Sequence, residues 1–117
     1  MDTIVVPNEI AKTPHPGMEY GDWVTNWWWP AACTKFSETT QANYRTTLNR
    51  LIIPFFEVDK VCDIRTSSIK AWVSHLQEVG YKPSVIDSAI RVFRATMTAA
   101  MVKGLVDSNP LAGVKAS

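Results

Sequence analysis

The sequence has few cysteines, few glycines and almost no net charge, and each scarcity argues against a class of protein. Cys33 and Cys62 are the only cysteines among 117 residues. They lack the spacing of metal ligands and indicate reduced thiols rather than a disulfide scaffold or a zinc site. The five glycines are scattered and form no phosphate-binding loop. A net charge of +1 does not by itself indicate a nucleic-acid-binding protein. We therefore expect no metal and no cofactor.

Long apolar segments are also absent. No run approaches the roughly 18 apolar residues of a membrane-spanning helix. The first residues, MDTIVV, have neither the basic segment nor the apolar run of a signal peptide. The sequence therefore predicts a soluble, cytoplasmic protein with no membrane partner.

Reactive side chains do not gather in any catalytic motif. His15 lies in a proline-rich beginning, and His75 has no carboxylate or cysteine beside it at ligand spacing. Solvated surface histidines are the better interpretation of both. The tyrosines match no nucleophile motif (Tyr20, Tyr44 and Tyr81). We expect no catalytic centre in this chain, which is then not an enzyme by itself.

Apolar residues with helical periodicity are what the sequence does contain. The chain is 46% hydrophobic and has five tryptophans, four phenylalanines and three tyrosines, enough to build the core of one domain. Residues 1–18 contain three prolines and no periodicity, and we interpret them as a flexible N-terminal segment. The alternation typical of strands is absent throughout. The prediction is an all-α four-helix bundle with short loops.

Prolines set the predicted ends of the first two helices. The first runs from about Glu19 to Trp29 and should stop or kink before Pro30. Trp29 lies off its apolar stripe and either packs against a neighbouring element or faces a partner. The second begins after the N-cap Ser37 and ends at Pro54. The apolar faces predicted for the two helices are Trp23, Val24, Trp27 and Trp28, and Tyr44, Leu48, Leu51, Ile52 and Phe55.

Glycines set the predicted ends of the last two helices. The third begins with Thr66 as N-cap and stops at Gly80. The fourth runs from about Pro83 to Lys103, and Gly104 is suited to a left-handed residue after its end. The predicted buried faces are Ile69, Trp72, Val73, Leu76 and Val79, and Ile86, Ile90, Phe93, Met97 and Met101. Apolar residues of the connector after the second helix should also fill the core (Phe55, Phe56, Val61 and Ile64).

Basic charge increases toward the C-terminus. Residues 80–117 hold five basic and two acidic side chains, a net charge of +3. A polar stripe with two arginines follows one face of the fourth helix (Ser84, Asp87, Arg91, Arg94 and Thr98). Such a stripe is either a solvated face or a surface for an acidic partner. Asp87 is also placed to pair with Arg91 at i+4.

Three stretches, in this order and spacing, resemble the core-binding domain of the tyrosine recombinases, the phage-integrase family, over about residues 19–115. They are FSETTQANYRTTLNRLIIPFF, DIRTSSIKAWVSHL and GYKPSVIDSAIRVFRATMTAAMVKGLVDSNPLAGV. The resemblance implies a SAM-like four-helix bundle over residues 19–109 that binds double-stranded DNA at a core recombination site. It implies that residues 110–117 begin a linker to a separate catalytic domain. The implied role is DNA integration and recombination at the nucleoid of a bacterial cell.

The resemblance also implies which residues contact DNA. In the family, the second and fourth helices lie on DNA through their N-terminal turns. Here each turn begins with hydroxyl residues after a lysine, a combination that suits phosphate. Asn43 could in addition pair with an adenine edge. The hypothesis requires both turns to project together on one surface. The predicted contacts are Lys35, Thr39, Thr40, Asn43, Lys82, Ser84, Arg91 and Arg94.

The alternative function is a helical protein-interaction module. Its binding surface would be the Trp-rich, acidic first helix with Trp29. In the family, first-helix surfaces can help recombinase protomers meet on DNA, so other protomers are also expected partners. Binding that collapses with added salt favours the DNA-binding interpretation.

Overall fold

The structure is a computed structural model that describes residues 14–116, and these residues form the predicted all-α four-helix fold. An isolated bridge between Glu19 and Lys60 is the only strand-type pairing within the described part. Two 3-10 turns, Cys33–Lys35 and Val61–Asp63, lie in the connections. The helices are α1 (20–32: Tyr20–Asp22, π-helical Trp23–Trp28, Trp29–Ala32), α2 (38–56: Glu38–Thr47, π-helical Leu48–Ile52, Ile53–Phe56), α3 (Thr66–Val79) and α4 (Pro83–Val102).

Pro30 and Pro54 lie inside helices and do not end them. A proline has no N–H, and its ring clashes with the carbonyl four residues earlier in an ordinary α-helix. Here the residue before each proline donates its N–H to the carbonyl five residues earlier, as in a π-helix (Trp29 to Val24, and Ile53 to Leu48). The wider turn accommodates the proline, and each helix continues for two more residues. The helix end predicted at Pro54 is therefore wrong, and of the two outcomes predicted at Pro30, a stop or a kink, the stop is wrong.

The core is built around a cluster of aromatic rings. Trp72 meets Phe56 and Phe93 edge-on, with ring centroids 6.0 and 5.3 Å apart. Tyr20 packs against Phe93 at 5.0 Å. Most residues of the predicted faces are buried as expected: Trp23, Val24, Trp28, Leu48, Leu51, Ile52, Ile69, Trp72, Val73, Leu76, Ile86, Ile90, Phe93 and Met97. From the connector, Phe56, Val61 and Ile64 are buried as predicted.

Three residues predicted in the core are exposed: Phe55 (41%), Val79 (58%) and Met101 (39%). Each lies in the last turn of its helix, where a periodic pattern extends past the neighbours that cover the earlier turns. For Phe55 there is a second reason. The π-helical stretch before it shifts the buried face by one residue, so Phe56 is buried instead.

The connector after α2 pairs with the chain that enters α1. The N–H groups of Tyr20 and Gly21 donate to the carbonyls of Asp59 and Glu57, at 2.8 and 3.0 Å. Met18, which falls in the predicted N-terminal segment, is buried in the core. Residues 1–13 of that segment lie outside the described residues, and the predicted boundary between residues 18 and 19 stays a prediction.

Glycines end α3 and α4 as predicted. Gly80 and Gly104 are left-handed, with φ of 105° and 79°. After Gly104, Leu105 donates its N–H to the Ala100 carbonyl and is buried, which closes the end of α4. The predicted N-cap of α3 is wrong by one residue. Thr66 is the first helical residue, so its hydroxyl is available for a contact outside the helix.

Candidate nucleic-acid interface

The first turn of α2 is held by its own side chains. Ser37 Oγ accepts the Thr40 N–H at 3.2 Å, and the two hydroxyls lie 3.1 Å apart. The Gln41 amide donates to two carbonyls of the preceding turn, at 2.9 and 3.1 Å. Thr40 is half-buried by this arrangement, whereas Thr39 and Asn43 are exposed. The exposed pair is therefore the part of this turn that is accessible to a ligand.

The first turn of α4 has no side-chain cap and no acidic residue. Lys82 is the N-cap residue, and its carbonyl accepts the Val85 N–H at 3.0 Å. Pro83 has no N–H, and the Ser84 N–H has no partner within the helix. Lys82 and Ser84 are both exposed. This end of α4 suits an anion better than the first turn of α2, which contains Glu38.

The structure separates the two turns along α4. Lys35, which precedes α2, lines a cleft with Ala99 and Lys103 near the C-terminal end of α4. Lys82 and Ser84 lie at the opposite end of that helix. From Ser84 to Ala99 the helix axis rises by about 22 Å, at about 1.5 Å per residue. The turns therefore do not project side by side as the DNA-binding hypothesis requires, because the connection between α1 and α2 lies beside the last turns of α4.

The two arginines of α4 have different surroundings. Arg91 is exposed. Arg94 is half-buried, and its guanidinium donates to the carbonyls of Leu111 and Val114, at 3.4 and 3.1 Å. Asp87, predicted to pair with Arg91, accepts the Ala116 N–H at 3.2 Å. Part of the predicted polar stripe of α4 is thus bonded to the end of the chain.

Two lysines that are not among the predicted DNA contacts lie beside residues that are. Lys103 lines the cleft that also contains Lys35. Lys115 lines a second cleft with Arg91 and Arg94. No sequence signal reveals these neighbours, because each pair joins residues from different elements. Lys115 also falls in the segment that was predicted to be a linker.

Trp29 is packed within the chain. It is half-buried, and the Arg45 guanidinium lies 5.5 Å from its ring centroid, within the range of a cation–π contact. Leu48 and Ile53 line the same cleft. Of the two interpretations of Trp29, the structure favours packing against a neighbouring element.

Other kinds of site find little support in residues 14–116. Within this part of the chain, no three metal-binding side chains lie close enough together to hold an ion. None of the helices described has both the length and the apolar character needed to cross a bilayer. His75 packs edge-on against Phe55, with centroids 5.1 Å apart.

Comparison with known proteins identifies relatives of this fold. The model of the family "Phage integrase, N-terminal SAM-like domain" matches residues 20–77, which span α1 to α3. A solved structure, the integrase-like domain from Bacillus cereus, is 22% identical with a TM-score of 0.80. The match covers 88% of this chain and 86% of that one. This likeness shows the fold. No curated protein matches the chain.

Proposed function

Because residues 20–77 match the model of the family of phage integrase N-terminal SAM-like domains, we propose that the chain is the DNA-binding module of a site-specific tyrosine recombinase. In this proposal it binds the duplex at a core recombination site during DNA integration and recombination. Strand cleavage belongs to a separate catalytic domain, and other recombinase protomers are partners on the DNA. Binding needs no metal and no cofactor. The site of action is the bacterial cytoplasm, at the nucleoid.

The observation that carries the proposal is the exposed polar surface of α4 together with the family match. Lys82, Ser84 and Arg91 are exposed on this helix, and its first turn has neither a cap nor an acidic residue. Backbone N–H groups at a helix start, together with nearby cations, bind phosphate oxygens. The first part of α2, Glu38–Thr47, packs against α4. The predicted contacts on both helices therefore belong to neighbouring elements.

Because the two turns do not project side by side, this proposal no longer requires that arrangement. The two ends of α4 contact different phosphates instead. Lys82 and Ser84 lie at one end, and Lys35 lies near the other. A duplex carries one phosphate charge per about 1.7 Å of its axis, so phosphates are available at any such separation. Arg91 lies between the two ends, and Arg94 contributes its charge to the same surface. These contacts orient the protein but carry no sequence information.

In this proposal, α2 recognises the base sequence of the DNA. Asn43 and Thr39 are exposed polar residues one helical turn apart. A side-chain amide pairs with N6 and N7 of adenine in the major groove, and a threonine contacts base edges or the thymine methyl group. Thr40 is half-buried and hydrogen-bonded to the cap, so it supports the turn that presents its neighbours.

A titration of labelled duplex by fluorescence anisotropy tests the proposal. With so few cations, binding by the isolated chain should be in the micromolar range or weaker, on the order of non-specific protein–DNA affinities. The logarithm of the affinity should fall linearly with the logarithm of salt concentration, by about 0.9 per phosphate contact. Asn43→Ala should reduce discrimination between duplexes and leave the salt slope unchanged. Absence of binding even at low salt would instead favour a protein-interaction module that uses the Trp-rich first helix.

A further inference from the structure

The segment formed by residues 109–116, called here the C-terminal segment, is packed on the bundle. It contains no helix, yet Leu111, Val114 and Ala116 are 0%, 6% and 4% exposed. The resemblance to the recombinase family implies that residues 110–117 begin a linker. That assignment stays a prediction about the parent protein. In this chain the segment lies against α3 and α4.

Side chains of α3 and α4 bind the backbone of the C-terminal segment. The Thr66 hydroxyl donates to the Pro110 carbonyl at 2.9 Å. Ala116 is bound through both of its backbone groups. Its N–H donates to Asp87, and its carbonyl accepts from the Gln77 amide. With the two bonds from Arg94 to Leu111 and Val114, four side chains bind the backbone of four residues of the segment.

The polar stripe of α4 provides most of the anchors on that helix. Asp87 and Arg94 bind the segment directly, and Thr98 bonds to the amide of Asn109 at 2.9 Å. Asn109 also donates to the Arg94 carbonyl at 3.1 Å. Three of the five stripe residues therefore contact the chain's own end. Arg91 is the one cation of the stripe whose side chain stays exposed.

Docking of the segment places Lys115 along the same cleft as Arg91. Both residues line one cleft, which Arg94 and Asp87 also line. The cleft thus has three cations and one carboxylate, and that carboxylate already accepts the Ala116 N–H. If the segment were released, the cleft would lose Lys115, one of its three positive charges.

We infer that the docked C-terminal segment is a working part of the DNA-binding surface. In this inference Lys115 and Arg91 together bind a phosphate group of the duplex. Arg94 is a positioning residue that anchors the segment through Leu111 and Val114. The inference rests on the proposed function. It differs from the sequence-based prediction in two residues. Arg94 positions the segment and does not contact DNA, and Lys115 is added to the residues that contact DNA.

An uncharged side chain that binds the C-terminal segment allows this inference to be tested without changing the charge of the protein. Gln77 is uncharged and lies on α3, and its amide binds the Ala116 carbonyl. Gln77→Ala should therefore weaken duplex binding without any change in charge, by loosening the end of the segment that carries Lys115. Ser67→Ala, on an exposed position of the same helix, is the matched control and should leave binding unchanged.

The test compares Gln77→Ala, Lys115→Ala and the double variant by anisotropy over a salt series. Lys115→Ala should weaken binding to every duplex and lower the salt slope by about 1. The double variant should bind no more weakly than Lys115→Ala alone, because the anchor acts only through that lysine. Hydrogen exchange at the Ala116 amide should be faster in Gln77→Ala. If it is not, Thr66→Val is added to remove a second neutral anchor, and the same comparison is made.

The outcomes distinguish this inference from the proposed function. If the wild-type chain binds no duplex at low salt, the proposed function fails, whatever the exchange data show. If the wild-type chain binds but Lys115→Ala leaves both affinity and salt slope unchanged, the inference alone is overturned. Faster exchange at Ala116 with unchanged duplex affinity would overturn it as well.

Discussion

The hydroxyl of Tyr20 lies 2.7 Å from Oγ1 of Thr96, which joins the start of α1 to the middle of α4 across 76 residues of sequence. Both residues are fully buried. The Thr96 hydroxyl donates its only hydrogen to the Phe93 carbonyl at 2.7 Å. Tyr20 is therefore the donor and Thr96 the acceptor. The Trp23 indole N–H donates to the Thr96 carbonyl at 3.1 Å and reinforces the same junction.

Thr96→Val should destabilise the fold more than Tyr20→Phe. The first change leaves the buried Tyr20 hydroxyl without its acceptor, at a cost of about 1–3 kcal/mol. The second leaves the Thr96 hydroxyl bonded to Phe93 and costs about 1 kcal/mol. Urea denaturation of both variants and of the double variant measures the difference. The double variant should lose less than the sum of the two, and strict additivity would contradict an interaction between the two side chains. An equal or larger loss in Tyr20→Phe would contradict the assignment of donor and acceptor.

Tyr20 should also make the fold sensitive to alkaline pH. Burial raises the pKa of Tyr20 above its usual value, and the hydrogen bond with Thr96 only partly opposes the shift. In the unfolded chain a tyrosine titrates near pH ~10. The protonated form favours folding, so this contribution is complete below pH ~10 and is lost as the pH rises above it.

Melting temperatures measured between about pH 8 and pH 11 test this dependence, because the ordinary pKa of tyrosine lies within that range. Above pH ~10 the wild-type chain should lose stability more steeply than Tyr20→Phe. Tyr81→Phe is the control, since Tyr81 is 40% exposed. Equal slopes for the wild type and Tyr20→Phe would show that another group dominates alkaline unfolding.

Gly21→Ala should destabilise the chain although alanine favours helices. A Cβ at this position would lie 2.8 Å from Glu57 Cγ and 3.2 Å from the Glu57 carbonyl oxygen. That carbonyl accepts the Gly21 N–H, so the backbone has little freedom to move away. Overpacking of this kind costs about 1–3 kcal/mol. Gly17→Ala is the control, because its nearest neighbour would be 3.7 Å away, and a similar loss in both variants would count against the close approach.

Local signals in the sequence were sufficient for the C-terminal ends of α3 and α4 and for the start of α4. Gly80 and Gly104 need a left-handed backbone, and Pro83 suits a first turn, so each of these ends follows from the residues beside it. The ends of α1 and α2 could not be predicted in this way. Whether a proline ends a helix depends on the turn before it, and nothing in the sequence specifies that Trp29 and Ile53 donate five residues back.

The candidate site was less predictable than the fold, for a related reason. Helical periodicity places Asp87, Arg91 and Arg94 on one face, but it does not say what covers that face. Arg94 reaches carbonyls that lie 17 and 20 residues further along the chain. Such contacts depend on tertiary packing of a segment that the family resemblance assigns to a linker. The exposure of Lys82 and Ser84, by contrast, follows directly from the start of α4.

Trp72→Ala should cost about 3–5 kcal/mol, as expected for the removal of a buried tryptophan. Trp72 is 3% exposed, and its indole N–H donates to the Leu51 carbonyl at 2.7 Å. Val79→Ala, on the same helix but 58% exposed, should change stability by less than about 0.5 kcal/mol. Chemical denaturation of both variants checks the assignment of the two faces. Comparable losses would mean that the end of α3 is covered after all.

Arg91→Ala and Arg94→Ala should behave differently, although the sequence treats the two residues alike. Arg91 is exposed, so its loss should lower DNA affinity and the salt slope while the melting temperature stays unchanged. Arg94 binds two carbonyls of the C-terminal segment, so its loss should also lower stability, by about 1–3 kcal/mol. Lys60→Ala removes one charge from an exposed position in the connector after α2 and serves as the control for net charge.

These measurements decide which of the two arginines contacts DNA directly. Melting curves report whether the C-terminal segment is still anchored, and anisotropy reports the duplex. If Arg94→Ala weakens binding as much as Arg91→Ala but leaves stability unchanged, Arg94 contacts phosphate directly and its bonds to Leu111 and Val114 contribute little. If only Arg94→Ala is destabilised and both variants bind more weakly, the anchored segment and the exposed arginine act together. If Lys60→Ala lost as much DNA affinity as the two arginine variants, the change in net charge alone would explain both of their effects.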